Sequence, residues 1–171
     1  MAILPGIKLN ISNSSNHIDQ IETLAKSRDW LAARLSDDRI KLSVTGDWGD
    51  YQVIFDWRWE TNSLKLICQG QGGLSGIPAD ACLQLQSKIN QEIDFGQVGV
   101  SLADGKMTFA HSLHLFDQDN YFTPAHIEWL TEQVVAICDQ YRPAYELIAD
   151  GQASPDQAIK LVSANQPSYW A

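Results

Sequence analysis

The run Tyr51 to Trp59 (YQVIFDWRW) constrains this chain more than any other stretch. Tyr51, Val53, Phe55, Trp57 and Trp59 recur at every second position, with Gln52, Asp56 and Arg58 between them. A helix would scatter these side chains around its circumference, whereas a strand sends the whole apolar set to one face. Alternating runs lie on both sides of it. The segment therefore reads as the middle of an antiparallel sheet that has one packed face and one wet face.

The neighbouring strands follow from turn chemistry. Ile40, Leu42 and Val44 alternate into a first strand, and Gly46 to Gly49 (GDWG) reverses the chain. Glu60 to Ser63 turns it again into Leu64, Leu66 and Cys68. With Thr61-Asn62 as a two-residue loop, Trp59 stands opposite Leu64 and Trp57 opposite Leu66. Farther on, Val98, Val100 and Leu102 lead into Asp104-Gly105, followed by Met107, Phe109, His111, Leu113 and Leu115. Counting outward from that dipeptide pairs Leu102 with Met107, Val100 with Phe109 and Val98 with His111. One five-stranded antiparallel sheet over Ile40 to Gln69 and Gly96 to Leu115 is the expectation.

Helices fill the intervals. From His17 to Leu35 the apolar residues keep a helical period, with a break at most near Ser27. Pro78 opens a second helix whose stripe Ala81, Leu85, Ile89 runs to Ile93. Thr123-Pro124 starts a long third one, and Pro143 is expected to kink or end it. Ser154-Pro155-Asp156-Gln157 reads as cap, first-turn proline and capping-box glutamine for a last helix to about Ala164. The plan is one α+β domain over 17–164, preceded by a loose N-terminal segment over 1–16 and followed by a C-terminal tail over 165–171.

With 21 acidic against 12 basic residues, the formal net charge is -9 in 171 residues. The mean field repels phosphate backbones and anionic lipid, which argues against nucleic acid and membrane as partners. Cys68, Cys82 and Cys138 lack metal or redox spacing and read as reduced thiols. No basic region followed by an apolar run opens the chain, so a cytoplasmic location is expected.

Motifs that could carry chemistry do not complete themselves. The glycines of Gly70 to Gly76 lie between a strand and a helix, but Ser75 stands where a dinucleotide fingerprint needs glycine. Ile77 and Pro78 stand where a P-loop needs Lys-Ser/Thr. Asp117, Asp119 and Glu128 fit positions 1, 3 and 12 of a calcium loop, while Phe122 occupies its glycine position. His111 and His114 are three apart on a strand and face opposite ways. No serine or cysteine nucleophile joins His111, so no catalytic residue, cofactor or metal is expected.

The order helix, three strands, helix, two strands, helix resembles the YbjN family of bacterial sensory transduction regulators. The likeness runs from about Ile18 to Ala164 and rests on the three-strand meander, on Ile77 to Phe109 with Asn90, Gly96 and Phe109, and on Tyr141 to Ile159 with Tyr141, Pro143, Gly151 and Ser154-Pro155. That resemblance implies a two-layer fold similar to type III secretion chaperones, with helices on one face of a sheet in strand order 1-2-3-5-4. It further implies a non-enzymatic, commonly dimeric protein that binds segments of other proteins.

On this reading the expected role is a cytoplasmic protein-binding module, regulatory or chaperone-like, with a protein partner or a second copy. Its contact face is the wet side of the sheet: Gln52, Ile54, Asp56 and Arg58, beside Lys65 and Ile67. Ile54 and Ile67 are expected as diagonal neighbours there. The alternative is a small-ligand sensor with a pocket between helices and sheet near Trp57, Trp59 and His111.

Overall fold

The protein is described by a computed structural model covering residues 16–115 and 122–164. Among the described residues, four α-helices and six strands follow in the order α1 (His17–Ser27), β1 (Leu31–Ser36), β2 (Arg39–Gly46), β3 (Gly49–Arg58), β4 (Ser63–Gly70), α2 (Ala79–Glu92), β5 (Gln97–Val100), β6 (Met107–His114), α3 (Pro124–Ala149) and α4 (Pro155–Ala164). The sheet is antiparallel throughout, in the order β1-β2-β3-β4-β6-β5. Its central strand is β3, with Tyr51, Val53, Phe55 and Trp57 all buried on one face.

Five strands in the order 1-2-3-5-4 were expected, and the sheet has six. The addition is β1, which pairs with β2 at the edge and occupies the second half of the helix expected from His17 to Leu35. The chain leaves the helix at Ser27, and Asp29 at φ 55° turns it back. Leu31 and Leu35 stand four apart among good helix formers, so the local pattern reads as helix. The open edge of β2 supplies backbone partners that a solvated extra turn of helix would not, and tertiary pairing overrides propensity. All six residues of β1 are exposed, so no burial pattern betrays the strand.

Both hairpin registers differ from expectation by one pleat repeat. Trp57 pairs with Leu64, Phe55 with Leu66, and Arg58 closes the ladder with Ser63. The turn is longer than two residues because Trp59–Thr61 form a 3₁₀ turn and Asn62 takes φ 46°. Trp59, expected on the packed face, is consequently carried out of the strand and is 62% exposed. In the second hairpin Val100 pairs with Met107 and Val98 with Phe109. Ser101 N–H donates to the Lys106 carbonyl and Gly105 N–H to the Ser101 carbonyl, so Leu102 lies in the turn, exposed. A slip of two residues keeps every side chain on its face, which is why the two-sided pattern survives both corrections.

The helical layer buries the Phe55 face. Thr123 caps α3 through its hydroxyl to His126 N–H at 3.1 Å. Of the expected kink or end, the end does not occur: α3 continues through Pro143 to Ala149. Tyr141, Ala144, Tyr145 and Ile148 are all buried around that proline, and their packing offsets the lost backbone hydrogen bond. Residues 1–15, 116–121 and 165–171 are outside the description, and with them most of the expected loose segment, the tail, and Asp117 and Asp119 of the calcium-like pattern.

Candidate functional site: the open face of the sheet

Even positions of β3 project away from the helices, and strand pairing sets them in cross-strand rows. One row runs Lys41, Ile54, Ile67, Ala110; the next runs Arg39, Asp56, Lys65, Ser112; a third runs Ser43, Gln52, Gln69, Thr108. Ile54 and Ile67 are directly opposite rather than diagonal, a consequence of the longer turn at Trp59–Thr61. Ile54 is only 8% exposed and Ile67 half-buried, so only a small apolar area of the pair reaches the open face.

Asp56, itself 8% exposed, is the hub of the second row. Arg58 Nη2 donates to its Oδ2 at 2.8 Å, while Arg39 and Lys65 flank it on the adjacent strands. Arg39 Nε is buried without a hydrogen-bond acceptor. Arg39, Lys41, Arg58 and Lys65 thus surround one carboxylate and one apolar pair, a local excess of positive charge on a chain whose net charge is -9. Arg39 and Lys41 are the members the sequence reading passed over. Their signal was present in the alternation Arg39-Ile40-Lys41-Leu42, which sends both cations to the face opposite Ile40 and Leu42.

Trp57, Trp59 and His111 are not brought into a common cavity among the described residues. Trp57 is 3% exposed, packs 4.2 Å from His17 between ring centroids, and leaves its Nε1 buried without an acceptor. Trp59 meets it edge-on from outside and donates Nε1–H to Asp38 Oδ1 at 2.8 Å. His111 lies on β6, separated from β3 by β4, and packs edge-on against Phe95. Burial lowers its pKa, which favours the neutral ring over the charged one. A concavity of about 380 Å³ beside it is lined by Gly96, Gln97, Ala110 and Ser112. A larger one of about 530 Å³ lies at one end of the open face, with Ser43, Thr45, Asp50, Gln52 and Gln69 in its wall.

Two thiols meet in the core. Cys68 and Cys138 are fully buried with their Sγ atoms 3.8 Å apart. Contact with Cys138, followed by burial, pushes the Cys68 thiol far up, which makes it a packing group rather than a nucleophile. Among the described residues no three His, Cys, Asp or Glu side chains converge as a metal-binding group. None of the described helices is long and apolar enough to cross a membrane.

Residues 17–147 match the model of the YbjN family, described as "Putative bacterial sensory transduction regulator". Among solved structures, the crystal structure of YbjN from E. coli, described as "a putative transcription regulator", is similar at a TM-score of 0.47 and 14% identity. The match covers 83% of this chain and 97% of that one. No curated protein matches the chain.

Proposed function

The chain belongs to the YbjN family, and on that premise we propose that it is a non-enzymatic regulatory protein of the bacterial cytoplasm that works by binding another protein on the open face of its sheet. The observation that carries the reading is the Ile54–Ile67 pair set among Arg39, Lys41, Arg58 and Lys65. An apolar centre rimmed by cations suits a partner segment that alternates apolar and acidic residues. Arg39 Nε is a buried donor with no acceptor of its own, and a partner carboxylate would supply one. The chaperone-like mode of action is part of this proposal and rests on the resemblance to type III secretion chaperones that the family implies.

Lys41→Glu with Lys65→Glu reverses the rim without touching the packed face; because Lys65 stands across from Asp56 the second substitution should lower the melting temperature by a few degrees without unfolding the protein, and capture is compared well below that temperature. Wild type and variant are immobilised side by side and the proteins captured from native lysate are quantified. Acidic partners held by the wild type should be depleted on the variant by about tenfold, the scale set by two reversed charge contacts. Equal capture by both would remove the open face as the docking site. A metabolite that raises the melting temperature when no protein is captured would favour the small-ligand reading.

A further inference from the structure

The larger concavity, at one end of the open face, is floored by a single cross-strand row. Leu31 on β1 stands across from Ser43 on β2, Ser43 from Gln52 on β3, and Gln52 from Gln69 on β4. Three inter-strand spacings of about 4.8 Å make this floor about 14 Å long. The volume above it, about 530 Å³, is within the range of small-molecule sites. Thr45 and Asp50 line it one row farther on, joined by a hydrogen bond of 2.7 Å from the hydroxyl to the carboxylate. Gln71, Gly72 and Lys106 close the far end. Arg142 fixes the backbone there, donating from Nη1 to the Gln71 carbonyl at 3.1 Å and from Nη2 to the Gly72 carbonyl at 3.4 Å. The trough is thus formed in advance, and a ligand does not have to order its walls.

We propose that this trough binds a linear, uncharged oligosaccharide. Its floor is polar without being charged. Among the described residues Ser43, Gln52 and Gln69 commit their side chains to no hydrogen bond. Amides and hydroxyls both donate and accept, as the hydroxyls of a sugar do, so each can meet a sugar hydroxyl in either role. Anionic ligands find no free cation in the lining, because Lys106 Nζ lies 3.4 Å from the Asp104 carboxylate and Asp50 is itself acidic. Leu31, 77% exposed, offers apolar surface at one end of the row, where the C–H face of a terminal ring can lie. An extended peptide would bring apolar side chains of its own, for which the floor has only Leu31. The length of the floor suits linked rings better than one compact ring system. Tyr51 supplies no stacking platform, since it is 2% exposed and its hydroxyl is held by Asp139 at 2.6 Å. Binding therefore rests on hydrogen bonds and is weak. The trough lies beside the Ile54–Ile67 row and away from Trp57 and His111, and it holds or fails independently of the docking reading above.

Cellotetraose and maltotetraose, titrated separately into the isotope-labelled full chain with no other protein present, provide the test by NMR. At least one of them should give saturable shifts in the backbone amides of 43–52 and 69–72 and in the side-chain amides of Gln52 and Gln69. Gln52→Ala with Gln69→Ala leaves the packed face untouched, removes two hydrogen-bonding groups from the floor and should raise the Kd about tenfold. Ser112→Ala, on the open face but outside the trough, should bind as the wild type does. Tetragalacturonate, a chain of the same number of rings with a carboxylate on each, should bind about tenfold more weakly than the neutral sugar or not at all. Shifts that fail to saturate with either neutral sugar, shifts confined to other parts of the chain, a glutamine double variant that binds as tightly as the wild type, or equal affinity for the charged tetramer would overturn the proposal.

Discussion

At Gly105 two demands meet on one backbone position. Its φ is +62°, and a Cβ there would lie 2.8 Å from the carbonyl carbon of Leu74 and 2.9 Å from Ser75 N. Leu74 N–H donates to the Gly105 carbonyl at 3.2 Å, and the Leu74 side chain is 2% exposed. The glycine-rich stretch that failed as a phosphate cradle is therefore docked on the β5–β6 turn. Gly105→Ala should cost roughly 1 to 3 kcal/mol, since an alanine meets both the strained φ and the neighbouring backbone. Urea unfolding reads this directly, and a loss under about 0.5 kcal/mol would contradict it. Asp139 plays the same part at the other hairpin. Its carboxylate accepts from Asp47 N–H, Trp48 N–H and the Tyr51 hydroxyl at 2.8, 3.1 and 2.6 Å. Nothing in the local sequence announces a contact spanning 88 residues or more, so this cluster stayed invisible until the chain was folded.

The elements whose ends are set by local chemistry lie where the sequence put them. At α4, Ser154 N–H donates to Gln157 Oε1 at 2.9 Å and Gln157 N–H to Ser154 Oγ at 3.3 Å, the reciprocal pair read from Ser-Pro-Asp-Gln. Ser154→Ala should cost about 1 kcal/mol and loosen α4 from α3 and α2. Hydrogen exchange would show it as faster exchange confined to 155–164, and unchanged protection there would count against the cap. Elements whose fate depends on distant partners read less well. Residues 31–36 have a helical sequence yet complete a sheet, and Pro143, which could end or kink a helix, sits inside one because buried neighbours on both sides hold α3 together.

Across the whole molecule, burial makes stability depend on pH near neutrality. His17 and His111 both have pKa values lowered from the ordinary 6.5 by desolvation. Below about that pH the unfolded chain binds protons that the folded chain does not, so stability falls as pH falls, until the folded-state pKa values are passed. The urea midpoint at pH 5.5 should lie below that at pH 7.5, and His111→Asn should flatten the difference. Glu22, Asp104 and Asp156 are held below their ordinary 4.5, 3.8 and 3.8 by cationic or hydrogen-bonding neighbours, so their contribution is lost only at still lower pH. A midpoint that does not move between pH 7.5 and 5.5 would place both imidazoles in water.

Face was legible in advance. Which side of each strand is packed and which is wet follows from backbone geometry, whose period of two no later event can change, and on that ground Ile54, Asp56, Lys65 and Ile67 were assigned to the open side. Position across the sheet was not legible. The direct Ile54–Ile67 pair, the ejection of Trp59, the separation of His111 from Trp57 and the existence of β1 all depend on turn lengths and on which unpaired backbone edge a segment meets. Those are contests between local propensity and long-range hydrogen bonding, and they are decided only when the whole chain has folded.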